Sequence, residues 1–385
     1  MKIKNTISLA VALLLTSFTF FGCNKDEGSS TTTQNPFSPI IPPITGDPLI
    51  DAGIYGDILR EDYLGLLRDP ALYSVTREFG PSVISHKKFP VKVEPVAATT
   101  VPWSSWWYPK KETFMFQDSE ENQMQSPLTK FDLLRRSRFP SAGSAADYER
   151  RRHSPLSQAW EGLCDAWAIA SVAKPEPKRP VKMVLSDGTR RSVVFTIADL
   201  KALMLKTYEA VESTHIKYYG QKFTGDISGW IFPDIFPEQF HRFIEVQIMQ
   251  KQQPFVMDHD PGVEVWNIPV FRANYTMDLI PDKPDSVMVT MYVYSAESTL
   301  VSEKNFVGTK QAVREYNYVL HGKRDDVGNL VVTSGYWVKG PSGADSRNDH
   351  PDFTFTLTDK TKLQQKSWNP ELDINLVNEI LAQSY

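Results

Sequence analysis

The chain carries two cysteines in 385 residues, Cys23 and Cys164. Cys23 closes an N-terminal leader. Lys2 and Lys4 make a basic start, and positions 7–21 are uncharged and mostly apolar. That run is too short for a comfortable transmembrane helix and has the layout of an export signal. Export leads to an oxidising compartment, where disulfides usually add stability. If Cys23 is consumed at the end of the leader, no intramolecular disulfide can form. The body must then be held by its core alone, and Cys164 is a single thiol in a place where thiols are a liability. Composition allows such a core: 41% of residues are hydrophobic and 23% charged, which excludes global disorder. The length fits one large domain or two smaller ones. A net charge of −4 lacks the basic excess of a nucleic-acid binder.

Phe20-Phe21-Gly22-Cys23 resembles a bacterial lipobox, with a small residue before Cys at the close of a short apolar run. The resemblance implies cleavage before Cys23 and lipidation of its thiol. Several acyl chains on one residue anchor stably where one chain does not. Asn24, rather than Asp, points to the outer membrane of a Gram-negative cell. Residues 1–22 therefore read as signal peptide. Residues 23–50 read as a flexible, proline-rich tether carrying Pro36, Pro39, Pro42, Pro43 and Pro48. Residues 51–126 read as an irregular N-terminal extension packed on the core, with one short helix over 58–67. Residues 127–385 form the main domain.

In that domain the pattern sharpens. Cys164 to Ala173 is a small apolar helix stopped by Pro175 and Pro177. Residues 192–197 alternate like a strand, and Thr196 caps a helix expected to reach about Ser213. Pro237 opens a helix over 238–251. Strands are expected at 255–258, 263–270, 286–294, 316–322, 329–339 and 352–357. Asn369-Pro370-Glu371 starts a last helix running to about Gln383. Helices followed by antiparallel strands give an α+β fold.

The chemistry centres on Gln158 to Ala168. Cys164 sits where a helix begins, and the unpaired N–H groups there favour a thiolate. Gly162 admits a close approach to the backbone. The Cys164 N–H is placed to donate to an oxyanion, and Gln158, six residues earlier, offers a side-chain donor. A buried structural cysteine in an Ala-rich helix accounts for the same segment. A thiolate mechanism needs a base. Of seven histidines, His86, His153 and His215 sit in charged surroundings, and His321 ends a strand. His350 enters a strand from a polar loop beside Asp349 and Asp352, which could orient its ring. His259 lies between Asp258 and Asp260, and His241 lies on an apolar helix.

Several blocks together carry a family resemblance. They are Trp160-x-Gly162-x-Cys164-x-Ala166-Trp167-Ala168, Pro175-Glu176-Pro177, and Asp199 to Leu203. Further on come Glu264 to Val270, then Trp337 with His350-Pro351-Asp352-Phe353, and Asn369 to Leu372. In this order the chain resembles the transglutaminase-elicitor family, with Ile268, Asp165 and Phe271 departing from its pattern. The resemblance implies a papain-like core, in which a central helix bearing Cys packs on an antiparallel sheet. It also implies acyl transfer from protein glutamine to lysine or another amine. On it, Cys164 is the nucleophile, with His350 as base and Asp352 behind it. Gln158, Gly162, Trp266 and Asn267 are supporting residues, and His259 and His241 are the alternative bases. Two other readings stay open. One is a cysteine peptidase or amidase with water as acceptor; the other is a non-catalytic surface-binding lipoprotein. No cofactor is expected. Some members of the family depend on calcium, but Asp282, Asp285, Asp325 and Asp326 have no recognisable ligand spacing, so no metal site is assigned. The expected partners are protein substrates bearing Gln and Lys, and a membrane through lipid on Cys23.

Overall fold

The computed structural model describes residues 73–85, 89–119, 124–211, 214–220, 234–260, 264–338 and 350–385. Every described residue belongs to one compact unit. The leader, the tether, Cys23, the helix expected over 58–67, His86 and Asp349 lie outside the described residues.

In chain order the unit opens with α1 (Ser74–Phe79), β1 (Val83–Ile84) and β2 (Val91–Ala97). The helices α2 (Pro127–Arg138), α3 (Ala145–Arg152) and α4 (Cys164–Ala173) follow. A two-stranded hairpin, β3 (Val181–Val184) and β4 (Ser192–Phe195), leads into α5 (Ile197–Lys206). Next come β5 (Ile216–Tyr219) and α6 (Pro237–Ile244), which runs on as a π-helical turn over Glu245–Gln250. The strands β6 (Phe255–Asp258), β7 (Asn267–Ile280), β8 (Lys283–Ala296), β9 (Gln311–Arg324) and β10 (Leu330–Trp337) then accumulate. β11 (Thr354–Leu357) and α7 (Ile374–Ala382) close the chain.

Among the described residues the large sheet has nine strands in the order β1-β10-β9-β8-β7-β6-β11-β5, all antiparallel, with β2 added on β7. β7 is long enough to serve two partners along one edge. Asn267–Val270 pairs with β6, and Arg272–Met277 pairs with β2. β2 is a strand within the stretch expected to be irregular, because β7 offers it an edge that no sequence period announces. β8 and β9 also outrun their expected lengths, each forming 14 residues. Mutual pairing satisfies the backbone of their less apolar ends. α5 stops at Lys206, short of Ser213. Its start is as expected: Thr196 and Asp199 form a capping box. α7 begins at Ile374 behind an Asp373 cap rather than at Asn369. Asn369 instead donates its side-chain amide to the Ala145 carbonyl at 3.0 Å and to Glu149 at 2.8 Å.

The sheet separates two hydrophobic clusters, and β6 shows the division residue by residue. Val256 joins a cluster with α2, α4, α5 and α7, whereas Phe255 and Met257 join a cluster with α1 and α6. Side chains alternate along a strand, so the two clusters occupy opposite faces. On β11, Phe353, Phe355 and Leu357 go with the α4 side.

A buried cation ties the N-terminal segment to this frame. Lys201 of α5 is fully buried, and its Nζ donates to the Ser104 carbonyl (2.6 Å), Glu176 Oε1 (2.6 Å) and the Phe306 carbonyl (2.8 Å). It also lies 5.0 Å from the centroid of the Trp103 ring. Glu176 in turn accepts from the Gly308 N–H. Trp103 and Trp167 complete the join. Trp167 Nε1 donates to the Trp103 carbonyl at 2.8 Å, and Trp103 Nε1 donates to the Lys174 carbonyl at 3.0 Å. Replacing Lys201 by Met strands the Glu176 carboxylate in the core and is expected to cost about 3–5 kcal/mol in urea unfolding. Glu176→Gln added to that variant should recover part of the loss. An unmoved midpoint in the single variant would remove the pair from this role.

Candidate active site

Cys164 is the first residue of α4, and Leu163 before it gives the helix no side-chain cap. The Ala166 N–H donates to the Asp165 carboxylate at 2.7 Å, and the Asp165 N–H faces the sulfur and favours its ionised form. The helix packs tightly because Ala166, Ala168 and Ala170 are completely buried. Gly162 has a different role from the one expected. A Cβ there would meet Trp107 Cδ1 at 2.7 Å and the Trp107 carbonyl at 2.8 Å, so it is Trp107 that approaches closely. The Leu163 N–H donates to that same carbonyl at 2.7 Å, which fixes the entry into α4.

The sulfur meets the junction of β6 and β7. Its thiol donates to the Val265 carbonyl, with Sγ···O 3.5 Å. The Asn267 N–H faces the sulfur and favours its ionised form. Asp258 and Asn267 are register partners, and both sit on the α4 face, since Met257 and Ile268 belong to the opposite cluster. Asp258 is fully buried and accepts the Trp266 N–H at 3.0 Å, so it anchors the segment that presents Val265 and Asn267. Trp266 forms an edge-to-face pair with Trp107, centroids 6.1 Å apart, and donates Nε1 to Glu264. Trp107 donates Nε1 to the Ala159 carbonyl. Together the two indoles link the segment before α4 to the entry of β7.

Electrostatics here oppose ionisation. Burial, then the charge of Asp165, push the Cys164 thiol up to about 12, and Asp258 adds to that rise. The N–H groups of Asn267 and Asp165 only partly offset it. Burial likewise pushes the Asp165 carboxyl up to about 6. The expectation that the helix N-terminus would yield a thiolate fails in this conformation, because desolvation outweighs the dipole.

The expected bases do not reach the sulfur. Among the described residues no imidazole hydrogen-bonds to Cys164, whose hydrogen bond is to Val265. His350 is buried and stacks on Trp337 at 5.4 Å, and Trp337 packs with the α6-side cluster. Its Nε2 is 2.9 Å from an oxygen of buried Asp234. Asp352 begins the β11 segment, its N–H donating to the Asp258 carbonyl and its carbonyl accepting from Ile235. His241 is also on the α6 side, with Nδ1 2.7 Å from the Tyr318 hydroxyl and Nε2 3.7 Å from Glu245. His259 is half-buried, and its carbonyl accepts from Tyr316 of the α6-side cluster. Burial and the Arg314 charge lower its pKa to about 3, so its ring is neutral. Gln158 is exposed on the turn before α4, its N–H donating to Glu161. The structure thus brings Cys164 to Val265 and Asn267, and among the described residues none of His350, Asp352, His259, His241 and Gln158 hydrogen-bonds to the sulfur.

Two residues of the neighbourhood escaped the sequence reading. Asp258 carries no role in the sequence beyond closing the strand at 255–258 and flanking His259; strand alternation is the signal that turns it toward α4. Asp234 has no spacing signal, since it meets His350 only through the fold. Among the described residues, no cluster of three or more His, Cys, Asp or Glu side chains is arranged for a metal ion. No helix among them is long and apolar enough to cross a membrane.

Fold and site together define an α+β protein with a thiol at a helix N-terminus, set against the end of an antiparallel sheet. The comparisons agree. The model of the family described as Transglutaminase elicitor matches residues 143–288. The crystal structure of the GP42 transglutaminase from Phytophthora sojae is similar with a TM-score of 0.57 at 19% identity, over 82% of this chain and 97% of that one. No curated protein matches the sequence. The chain is transglutaminase-like in sequence pattern and in fold.

A thiol with a pKa near 12 stays protonated through the neutral range. Its alkylation by iodoacetamide, followed by mass spectrometry of the Cys164 peptide, should climb about tenfold per pH unit from about pH 7 to about pH 10. A plateau below about pH 9 would mean that the sulfur is already held as thiolate.

Proposed function

We propose that this protein is an exported, lipid-anchored cysteine acyltransferase that joins glutamine side chains to amines, and that the described conformation is its resting form. The observation that carries the reading is the setting of Cys164. A sulfur on the first residue of a helix faces the Asn267 N–H and donates to the Val265 carbonyl, and the paired indoles of Trp107 and Trp266 are taken as the wall of its approach. Attack on a glutamine carboxamide would form a thioester and release ammonia, and an amine would then take the acyl group and free the thiol. The N-terminal N–H groups of α4 would stabilise the oxyanion. The indole wall would disfavour water as acceptor.

The base is a rearranged His350. Its pairing with Asp234 supplies the oriented imidazole that such chemistry needs. It also lies at the right end of the sheet. The Asp352 N–H donates to the Asp258 carbonyl and the Asp258 N–H to the Phe353 carbonyl, which puts the start of β11 beside Asp258. His350 must pass from the α6 face round that end to reach the sulfur. One observation favours a second reading, a non-catalytic binding protein on a transglutaminase-like scaffold: the thiol is held protonated against a carbonyl.

Incorporation of a fluorescent primary amine into a glutamine-rich protein separates the two. Wild type should label the acceptor protein and Cys164→Ala should not. His350→Gln should lose about 10²–10⁴-fold in rate, while His259→Gln stays within about threefold. Loss with His259→Gln and not with His350→Gln would transfer the base to His259. No labelling by wild type, with or without calcium, would favour the binding protein.

The anchor is part of the same proposal, with Cys23 lipidated at the outer membrane. In detergent phase partitioning the native chain should follow the detergent and Cys23→Ser the aqueous phase. Equal partitioning would leave only secretion.

A further inference from the structure

Tyr275 of β7, Met291 of β8 and Tyr316 of β9 are register partners, and all three belong to the α6-side cluster. Side chains alternate along a strand, so the rows on either side of them face the other way. Yet among the described residues the α4-side cluster takes nothing from β7 or β9, and only Ala296 from β8. One of these rows is Asn274, Tyr292 and Glu315; the next is Thr276, Thr290 and Asn317. All six side chains are half-buried. Behind them Val289, Met291 and Val293 are completely buried, so the face has a close-packed backing.

Hydrogen bonds join the two rows. Thr290 Oγ1 donates to Asn317 Oδ1 at 2.8 Å, Asn317 Nδ2 donates to Glu315 Oε1 at 2.9 Å, and the Tyr292 hydroxyl hydrogen-bonds to Glu315. In the row beyond, the Arg272 guanidinium lies over its partner Tyr294, 4.5 Å from the ring centroid. Asn274 stands beside Tyr292, and its Oδ1 is buried without a hydrogen-bond partner. The chain supplies that oxygen no donor, and the last torsion of an amide is soft enough to turn it outward.

Charge and the mixture of groups decide what such a face fits. Arg272 and Lys92 are set against Glu94, Asp278 and Glu315, and Lys92 is already paired with Glu94 at 3.0 Å. The face therefore lacks the cationic excess that a nucleic acid or an anionic membrane requires. Its centre offers hydroxyls, amides and a carboxylate in place of the apolar core of a protein interface. A sugar is the complement. Each of its hydroxyls both donates and accepts, and its C–H face suits an aromatic ring. We propose that the open face of β7, β8 and β9 is a binding site for an uncharged glycan chain. Asn274 and the Thr290–Asn317–Glu315 network take its hydroxyls, and Tyr292 lies against a sugar ring. The site uses none of the residues around Cys164 and does not depend on acyl transfer.

The test is titration calorimetry of the full chain with cellohexaose and with chitohexaose, in a detergent without a sugar headgroup. Co-sedimentation with purified peptidoglycan sacculi separates a wall polysaccharide from a free oligosaccharide as the source. We expect saturable binding, weakened about threefold to tenfold by Tyr292→Ala and by Asn274→Ala. Val194→Ser, on the separate β3–β4 hairpin, should leave it unchanged. Thermal midpoints are recorded for each variant. Where one of them falls, Thr290→Val keeps the shape of the face, removes a hydroxyl and should weaken binding in the same sense. Absence of wild-type binding in all three arms overturns the proposal, and so does binding that Tyr292→Ala, Asn274→Ala and Thr290→Val leave unchanged. Binding of deglycosylated casein that Tyr292→Ala weakens, with no glycan bound, would give the face to a protein partner and also overturn it. Failure of amine incorporation leaves the glycan site standing.

Discussion

The ammonium of Lys201 is the point from which the rest of the architecture is held. It has no water to solvate it, so every donor must find a protein acceptor. It finds them on three separate segments: the Ser104 carbonyl of the N-terminal stretch, Glu176 in the turn after α4, and the Phe306 carbonyl before β9. Burial holds the Lys201 pKa below the usual lysine range, and the hydrogen bond and charge of Glu176 oppose that shift. Such a pair contributes little net stability compared with an apolar pair, but it penalises any arrangement that separates its partners. The penalty fixes where Trp103 to Tyr108 must run. Through the Trp107 carbonyl on the Leu163 N–H, it also fixes where α4 begins.

The position of α4 against β6 and β7 then decides the chemistry available to Cys164. Helix starts lower a thiol's pKa when water or a cation can share the load. Here the sulfur is buried and feels the charges of Asp165 and Asp258, so burial and charge outweigh the helix. The same sheet that supports the sulfur keeps the oriented imidazole on its other face. His350 is bound by Asp234 and stacked on Trp337, among the aromatic rings of the α6 side. The thiol of Cys164 and the imidazole of His350 are thus each held by their own partners, on opposite faces of the sheet.

Much of this was legible in the sequence where local rules govern. The Cys164–Ala173 helix, its proline stop, the Thr196 cap and the Phe255–Asp258 strand all follow from short-range patterns. The motif blocks marked the right segments, yet several of their residues prove to be framework. Glu176 and Lys201 form the buried pair, Asp199 closes the capping box and accepts from Lys130 at 2.6 Å, and Asn369 holds α3. What could not be read was non-local. β2 exists because β7 has a spare edge, Asp258 faces the sulfur through strand parity, and Asp234 meets His350 across 116 positions of chain. The proximity of His350 to a carboxylate was anticipated, but from its neighbour Asp352 rather than from a distant loop.

The pH dependence of stability shows what the arrangement at Cys164 costs. The Asp165 carboxyl is raised to about 6 in the folded chain from 3.8. The native state therefore holds that proton more tightly than the unfolded chain does. Its stabilising effect is complete below about pH 4 and is lost as pH rises through about 6. Glu245 behaves in the opposite sense. His241, Ser82 and Arg242 overcome its burial and hold it down to about 2, so its contribution is present above about pH 4.5 and lost as pH falls toward 2. The α6 side is thus electrostatically settled at neutral pH, while the α4 corner is strained: an ionised Asp165, a protonated thiol and an unpartnered Asn267 oxygen lie together there.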